Sequence, residues 1–234
     1  MIHALASLIA AAVVWIFVHL GIAGTPMRGR LVARLGEQGF RAAFSLISAS
    51  TLVWLGMSWG ATGPVRVLWL APDWLVVGCM ALMVPAVILF VGSVTTPNPT
   101  MIGGHTALKS DTPAIGILRV TRYPMLWSFA LWAATHMIIT GTLSGAIFIG
   151  AFLIVAVAGM SSLDAKYSKR VPERWAAFAR VTSILPFAAI VQRRNHFAFA
   201  EIRLWRIAVA VVLWFLLIGL HPLVFAVNPW RHLT

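Results

Sequence analysis

The chain has 234 residues, of which 60% are hydrophobic and 10% are charged, and its formal net charge is +12. Soluble domains carry about 25% charged residues, so this composition excludes a soluble globular protein and indicates an integral membrane protein. The apolar runs are continuous, unlike the alternating segments of about 10 residues that form membrane β-barrels. A single cysteine, Cys79, excludes a disulfide framework, covalent c-type haem and cysteine-ligated iron–sulfur clusters.

Six apolar runs have about the length that a helix needs to cross a bilayer. They cover approximately residues 3–24, 41–61, 72–94, 122–140, 142–160 and 203–222. The first run has no basic leader and no convincing cleavage site, so we interpret it as a retained span. Pro85 is expected to kink the third span. The sequence therefore predicts an all-α integral membrane protein, a bundle of about six transmembrane helices that forms a single domain over residues 1–234.

Basic residues fall on alternate loops between these runs. The loops after the first, third and fifth runs carry sixteen of the 18 Lys and Arg residues. By the positive-inside rule, these loops face the cytoplasm and both termini lie in the periplasm of a bacterial inner membrane. The same pattern accounts for the net charge of +12 through contact with the anionic inner leaflet, without nucleic acid as a partner.

Three segments on the predicted cytoplasmic side are more than simple loops. Segments 25–40 and 163–181 are amphipathic, the second with Trp175 and Phe178 on its apolar face, and both are expected to lie along the membrane interface. Segment 182–190 is apolar but too short to span, which favours a re-entrant or interfacial position.

Three of the seven histidines, His19, His136 and His221, lie within or at the ends of predicted spans. A side chain that can charge near neutral pH is costly in lipid unless it bonds to the protein or binds a ligand. No carboxylate lies inside a predicted span, which argues against a hard-cation site or proton relay, and zinc would need three or four ligands together. Two imidazoles on separate helices suit a b-type haem. His105, in the Gly- and Pro-rich loop 95–113, is a further candidate.

The predicted topology bears on which histidines could share a haem. His19 lies about five residues from the cytoplasmic end of its helix and His136 about four from the periplasmic end of its own, so their depths differ by roughly 13 Å at 1.5 Å per residue. His221 lies at nearly the depth of His136. Depth favours His136 with His221, and the choice between His19 and His221 as its partner stays open.

Two arginines stand at the start of the fourth run, in the sequence RVTRYP. Arg119 and Arg122 are spaced i, i+3. They are either topology anchors or a clamp for a phosphate, a carboxylate or a haem propionate. Arg28 is another candidate for holding a propionate.

Four long motifs resemble the NnrU family, over nearly the whole chain. They are VHLGIAGTPMRGRLVARLGEQGFRAAFSLIS, VTRYPMLWSFALWAATHMIITG, LDAKYSKRVPERWAAFARVTSILPFAAI and HPLVFAV. The family includes proteins encoded near denitrification genes and the plant 15-cis-zeta-carotene isomerase. The resemblance implies haem b with two axial histidines, carried over by position to His19 and His136, with Arg122 and Tyr123 close by.

The resemblance also implies a role in nitrogen-oxide or redox metabolism, with isomerase-type catalysis as one form of it. The implied partners are the lipid bilayer, a hydrophobic polyene or nitric oxide as ligand, and a respiratory or denitrification protein. Two departures weaken the isomerase interpretation: Tyr123 replaces the histidine of an Arg-His-Pro motif, and Val155 stands where the isomerases are expected to carry histidine.

A wider resemblance gives an alternative. The membrane methyltransferases of the isoprenylcysteine carboxyl type share the Arg-His-Pro helix start and a Pro-containing apolar stretch after a cytoplasmic segment. In that case Arg122, Tyr123, Glu173 and Trp175 would line a pocket for S-adenosylmethionine. A non-catalytic membrane factor that partners a respiratory complex is the third hypothesis.

Overall fold

A computed structural model describes residues 2–101, 104–110 and 112–232. The side chains of His105 and Lys109 lie outside this description, so the role suggested for His105 stays a prediction.

Ten α-helices follow one another along the described residues. They are α1 (Ile2–Ile16), α2 (Met27–Thr62), α3 (Asp73–Thr95), α4 (Ile117–Val120), α5 (Pro124–Thr140), α6 (Leu143–Arg170), α7 (Pro172–Val181), α8 (Ala188–Val191), α9 (Phe199–Ile202) and α10 (Leu204–Phe225). Helix α1 continues directly into a π-helical turn, Phe17–Ile22. Short 3-10 helices cover Gly104–Lys109 and Pro229–His232.

Five helical stretches among the described residues are long and apolar enough to cross a membrane. They are Ile2–Ile22, Met27–Thr62, Asp73–Thr95, Leu143–Arg170 and Leu204–Phe225. The remaining predicted run, 122–140, forms α5, whose 17 residues extend about 26 Å at 1.5 Å per residue, somewhat less than the hydrocarbon thickness of about 30 Å. The predicted all-helical membrane fold is confirmed, whereas the count of about six spans is not.

The chain divides into two compact units. Unit 1 comprises Met1–Ala71 and His136–Ser162, and unit 2 comprises Pro72–Thr135 and Leu163–Thr234. The prediction of a single domain stays a prediction.

Unit 1 is built where α1 packs against α2 and α6. Its core consists of Leu8, Ala11, Ala12, Trp15, Leu55 and Ala151. The alanines let the helix backbones approach closely, as is usual between helices in membranes. The ring of Trp15 contacts that of Phe152 (centroids 5.2 Å apart), and Ser162 Oγ donates to the carbonyl of Gly24 over 3.4 Å. These contacts fix the level of α1 against α6.

The turn between α5 and α6 meets the loop after α2 within unit 1. Leu68 N–H donates to the carbonyl of Gly141 over 2.7 Å, and Val67 pairs with Thr142 in an isolated β-bridge. Gly141 has φ +57°, and a Cβ there would lie 2.1 Å from the carbonyl oxygen of Trp69. Only glycine fits this close approach.

Helix α2 is interrupted at Gly36, whose φ of 73° and ψ of 165° are not helical. The break separates a short amphipathic piece, 27–35, from the long apolar piece that begins at residue 37. The sequence predicted an interfacial segment over 25–40 and a span from residue 41, so the break comes earlier than predicted. Across the break, the guanidinium of Arg28 bonds the Glu37 carboxylate at 2.6 Å.

Unit 2 is built on the antiparallel pair α3 and α10, with Val87, Val91 and Ala210 buried between them. Nη2 of Arg206, in the first turn of α10, donates to the carbonyl of Thr95 at the end of α3 over 2.7 Å.

Helix α6 differs from prediction, because it runs ten residues beyond the predicted span end at 160 and stops at Arg170. The first helix breaker after that span is Pro172, which disfavours helical backbone at the residue before it.

Candidate functional site

His19 lies on the π-helical turn Phe17–Ile22 of unit 1. Its Nδ1 is 2.8 Å from the carbonyl oxygen of Trp15, and its Nε2 is 3.2 Å from the hydroxyl of Ser48 on α2. Single π-helical turns occur frequently at functional sites. A histidine whose Nδ1–H donates to a backbone carbonyl presents Nε2 as an acceptor or metal ligand.

Trp15 adds an unusual feature to this site. Its indole Nε1 is buried and has no hydrogen-bond partner among the described residues, and its ring lies 4.0 Å from that of His19, centroid to centroid. Buried donors are nearly always paired in folded proteins, so an unpaired one indicates a missing ligand or water.

His136 is half-buried near the end of α5, also in unit 1. His136 lies five residues before the tight turn at Gly141. His19 lies one helical turn after Trp15, which contacts Phe152, and before Gly24, which contacts Ser162. Counting along α6 from these contacts places the two histidines about ten residues apart in level, or about 15 Å. This residue count gives about the depth difference expected from the sequence, and the partner of His136 stays a prediction.

His221 lies in unit 2, half-buried on α10, with its ring 4.8 Å from Phe225. Among the described residues, no group of three or more His, Cys, Asp or Glu side chains could hold a metal ion.

Arg122, Tyr123 and Asp164, which we call the Asp164 cluster, form a hydrogen-bonded polar site in unit 2. Arg122 donates from Nε and Nη2 to the two carboxylate oxygens of Asp164 over 2.9 and 2.6 Å, and from Nη1 to the carbonyl of Thr182 over 3.1 Å. The Tyr123 hydroxyl donates to Asp164 Oδ1 over 2.6 Å. Burial, followed by the bond to Asp164, raises the pKa of Tyr123 far above its ordinary value. Tyr123 therefore stays a neutral donor.

The backbone between α4 and α5 holds this cluster in place. Thr121 is extended (φ −154°), so Arg119 and Arg122 do not share one helix. Arg119 donates instead to both carboxylate oxygens of Glu201 over 2.8 Å. These bonds lower the pKa of Glu201 below its ordinary value. The three arginines considered for propionates, Arg28, Arg119 and Arg122, are thus each paired with an internal carboxylate.

The residues expected to line a methyltransferase pocket lie close together only in part. Tyr123 is 1% exposed and Trp175 is 3% exposed, and their rings lie 6.5 Å apart, centroid to centroid. Glu173 is exposed. Arg122 also lines an open groove, and the methyltransferase alternative stays a prediction.

Sequence reasoning missed Asp164, Glu201 and Trp15 as site residues. The two acids carried a usable signal, because the whole chain has only six Asp and Glu residues, and an acid at a span end needs a nearby cation. Trp15 carried none, since an unpaired indole looks in sequence like any of the 11 tryptophans.

This fold and these sites define an all-helical, multi-pass membrane protein with one histidine-bearing π turn and one buried Arg–Asp–Tyr cluster. The model of the family described as NnrU protein matches residues 7–229, nearly the whole chain. The chain belongs to the NnrU family. Comparisons with curated proteins and with solved structures gave no match.

Proposed function

We propose that this protein binds one b-type haem in the bacterial inner membrane, with Nε2 of His19 as an axial ligand, and supports nitrogen-oxide or redox metabolism. One observation carries the proposal: the His19 imidazole and a buried, unpaired indole N–H stand side by side on a π-helical turn. Such a haem would supply one-electron chemistry or a binding position for nitric oxide.

The residues around His19 fit a haem ligand. The Trp15 carbonyl orients the ring and favours the tautomer with its proton on Nδ1. Only the Ser48 hydroxyl faces Nε2 in the structure, and a hydroxyl can turn away to make another bond. The aromatic rings of Trp15 and Phe44 flank the imidazole and would keep water from the metal.

His136 is the proposed second axial ligand, and His221 is the alternative to His19 as its partner. Because His19 and His136 differ in level by about 15 Å, both side chains would have to extend toward each other along the helices to hold one haem. The ligands that the family resemblance suggests are nitric oxide or a hydrophobic polyene, with a respiratory or denitrification protein as partner.

Absorption spectra of the purified protein in detergent test this proposal. We expect a Soret band that shifts on reduction, and its loss or displacement in His19→Ala. His3→Ala is the matched control, because His3 is exposed on the same helix and its removal should leave the spectrum unchanged. No Soret band in wild-type protein, or an unaltered one in His19→Ala, would contradict the proposal.

The second ligand is identified by coordination state. His136→Ala should convert a six-coordinate to a five-coordinate spectrum, and whichever of His19→Ala and His221→Ala does the same marks the residue that shares the iron with His136. If His136→Ala leaves the spectrum unchanged, the proposed pair of axial histidines is wrong even if His19 binds haem.

A further inference from the structure

Segment 184–188 of unit 2 lies between two cavities. On one side is an open groove of about 360 Å³ with a largely apolar surface, whose lining also includes Arg122, Gln192 and Arg194. On the other is an apolar pocket of about 230 Å³. The pocket is lined by Pro85, Ile88, Leu89, Ile117, Val120, Trp127, Leu131, Pro186 and Phe187.

Hydrogen bonds hold segment 184–188 in place between the two cavities. The carbonyl of Ile184 accepts from Trp127 Nε1 over 2.8 Å and from the Thr121 hydroxyl over 2.7 Å. Phe187 N–H donates to the carbonyl of Val120 over 2.8 Å. The groove and the pocket therefore lie on either side of one short segment that these hydrogen bonds hold in place.

The surface around this segment is apolar and basic. Leu185 is 61% exposed and Val191 is 79% exposed, and Arg193 and Arg194 follow directly. Apolar side chains interleaved with arginines are typical of segments at the boundary between headgroups and acyl chains. Each such arginine near an anionic leaflet contributes attraction to it.

The guanidinium of Arg194 is held by the protein in a position where it can bind an anion at the groove. Its Nη1 donates to the carbonyls of Ala179, Arg180 and Thr182, and its Nε donates to Gln192 Oε1 over 2.9 Å. Among the described residues, the structure gives its Nη2 no partner. A guanidinium held by three of its nitrogen–hydrogen bonds offers the remaining ones to a phosphate oxygen with little loss of side-chain freedom.

We propose that this site holds one anionic phospholipid, with its phosphate at Arg194 on the edge of the groove and an acyl chain in the apolar pocket. The charge of Arg194 selects the headgroup, and the apolar lining accepts only hydrocarbon, because a buried polar group there would lack hydrogen-bond partners. The site does not depend on haem.

Native mass spectrometry of the protein in detergent tests the proposal. Equal amounts of phosphatidylglycerol and phosphatidylcholine with the same acyl chains are offered together. We expect a one-lipid adduct in which phosphatidylglycerol is enriched about tenfold, because both lipids carry a phosphate but the choline cation of phosphatidylcholine is repelled by Arg194. Arg194→Gln should bring the ratio of the two lipids near one. Arg193→Gln should keep the enrichment, because this substitution removes the same charge at a residue that does not line the groove.

The apolar half is tested separately. Ile88→Phe fills the pocket and should abolish retention of the long-chain lipid, and Leu131→Phe serves the same purpose if the first variant does not fold. Glycerophosphoglycerol, the headgroup without chains, should not displace the lipid. Equal retention of both lipids by wild type, equal losses in Arg193→Gln and Arg194→Gln, or displacement by the free headgroup would each overturn the proposal.

Discussion

At the scale of single residues, Asp164 accepts hydrogen bonds from both Arg122 and Tyr123. Asp164→Asn keeps its size but leaves Arg122, 8% exposed, without a counter-charge. Removing one partner of a buried ion pair costs about 3 kcal/mol or more. We expect a loss of that order in the free energy of unfolding, measured by denaturation in detergent.

Two variants make that prediction specific. Tyr123→Phe removes only the hydroxyl bond to Asp164 and should cost about 1–2 kcal/mol, and Glu173→Gln, on an exposed side chain, should cost nearly nothing. An Asp164→Asn protein as stable as Glu173→Gln would show that the cluster does not stabilise the fold.

Glu201 makes the stability of unit 2 depend on pH. Hydrogen bonds from Arg119 lower the pKa of Glu201 below its ordinary 4.5. A carboxyl whose pKa is lower in the folded state stabilises the fold above its unfolded pKa, and this contribution is lost as the pH falls through the lowered value. The temperature of thermal unfolding should therefore fall less steeply between pH 7 and acid pH in Glu201→Gln than in wild type.

Glu173→Gln is again the control, and its decline should match that of wild type. Since the chain has only six acidic residues, one carboxyl is a visible share of the acid response. Identical slopes in Glu201→Gln and wild type would mean that the bond to Arg119 does not persist in solution.

The motif at 119–124 supplied two of the three residues of the Asp164 cluster from sequence alone. Arg122 and Tyr123 follow from the pattern RVTRYP, but their shared carboxylate is 42 positions away from Arg122. Ion-pair partners at such distances depend on how helices pack, and local periodicity carries no information on that.

At the scale of elements, Gly36 decides where the interfacial piece of α2 ends and its span begins. Its φ of 73° and ψ of 165° belong to a region that is essentially restricted to glycine and costs other residues about 1–3 kcal/mol. No atom lies within 4 Å of a Cβ added there, so Gly36→Ala should destabilise through backbone strain alone.

Gly29 in the same helix provides the matched comparison. A Cβ there also meets nothing within 4 Å, and its φ is not positive, so Gly29→Ala should stabilise by about 0.5–1 kcal/mol. Thermal unfolding of both variants in detergent separates the two effects. If Gly36→Ala behaved like Gly29→Ala, the break in α2 would not be a fixed feature.

Some elements followed from sequence and others did not. The amphipathic pattern over 25–40 predicted an interfacial segment before a span from residue 41, but the break in α2 comes earlier, at Gly36. Trp175 and Phe178 were assigned to the apolar face of an interfacial segment, and the structure buries them within the protein. The π-helical turn at His19 was not predicted, because six residues are too few for a π-helical period to differ from an α-helical one.

At the scale of the whole molecule, the alternation of basic loops predicted antiparallel spans, and unit 2 has that arrangement. Arg206 at the start of α10 bonds Thr95 at the end of α3, and His232 near the C-terminus bonds Asp73 at its start. The span count was less secure because Pro124 and Gly141 limit α5 to 17 residues and prevent its extension. The side of the membrane on which each end lies stays a prediction.

That side can be read by cysteine labelling within unit 2. Cys79 is the chain's single cysteine and is buried, so we expect it not to react with the label. Val227 (53% exposed) lies at the Asp73 end, and Ser110, also exposed, follows the Thr95 end. If basic loops face the cytoplasm, a membrane-impermeant maleimide should label Val227→Cys in cells with an intact inner membrane and Ser110→Cys only after disruption.

Labelling of both variants in detergent controls for access to the thiol itself. The reversed pattern in intact cells would place the basic loops in the periplasm, against their attraction to the anionic inner leaflet. It would also move segment 184–188 and its arginines to the outer face of the membrane. The orientation therefore bears directly on whether a phospholipid of the inner leaflet is within reach of Arg194.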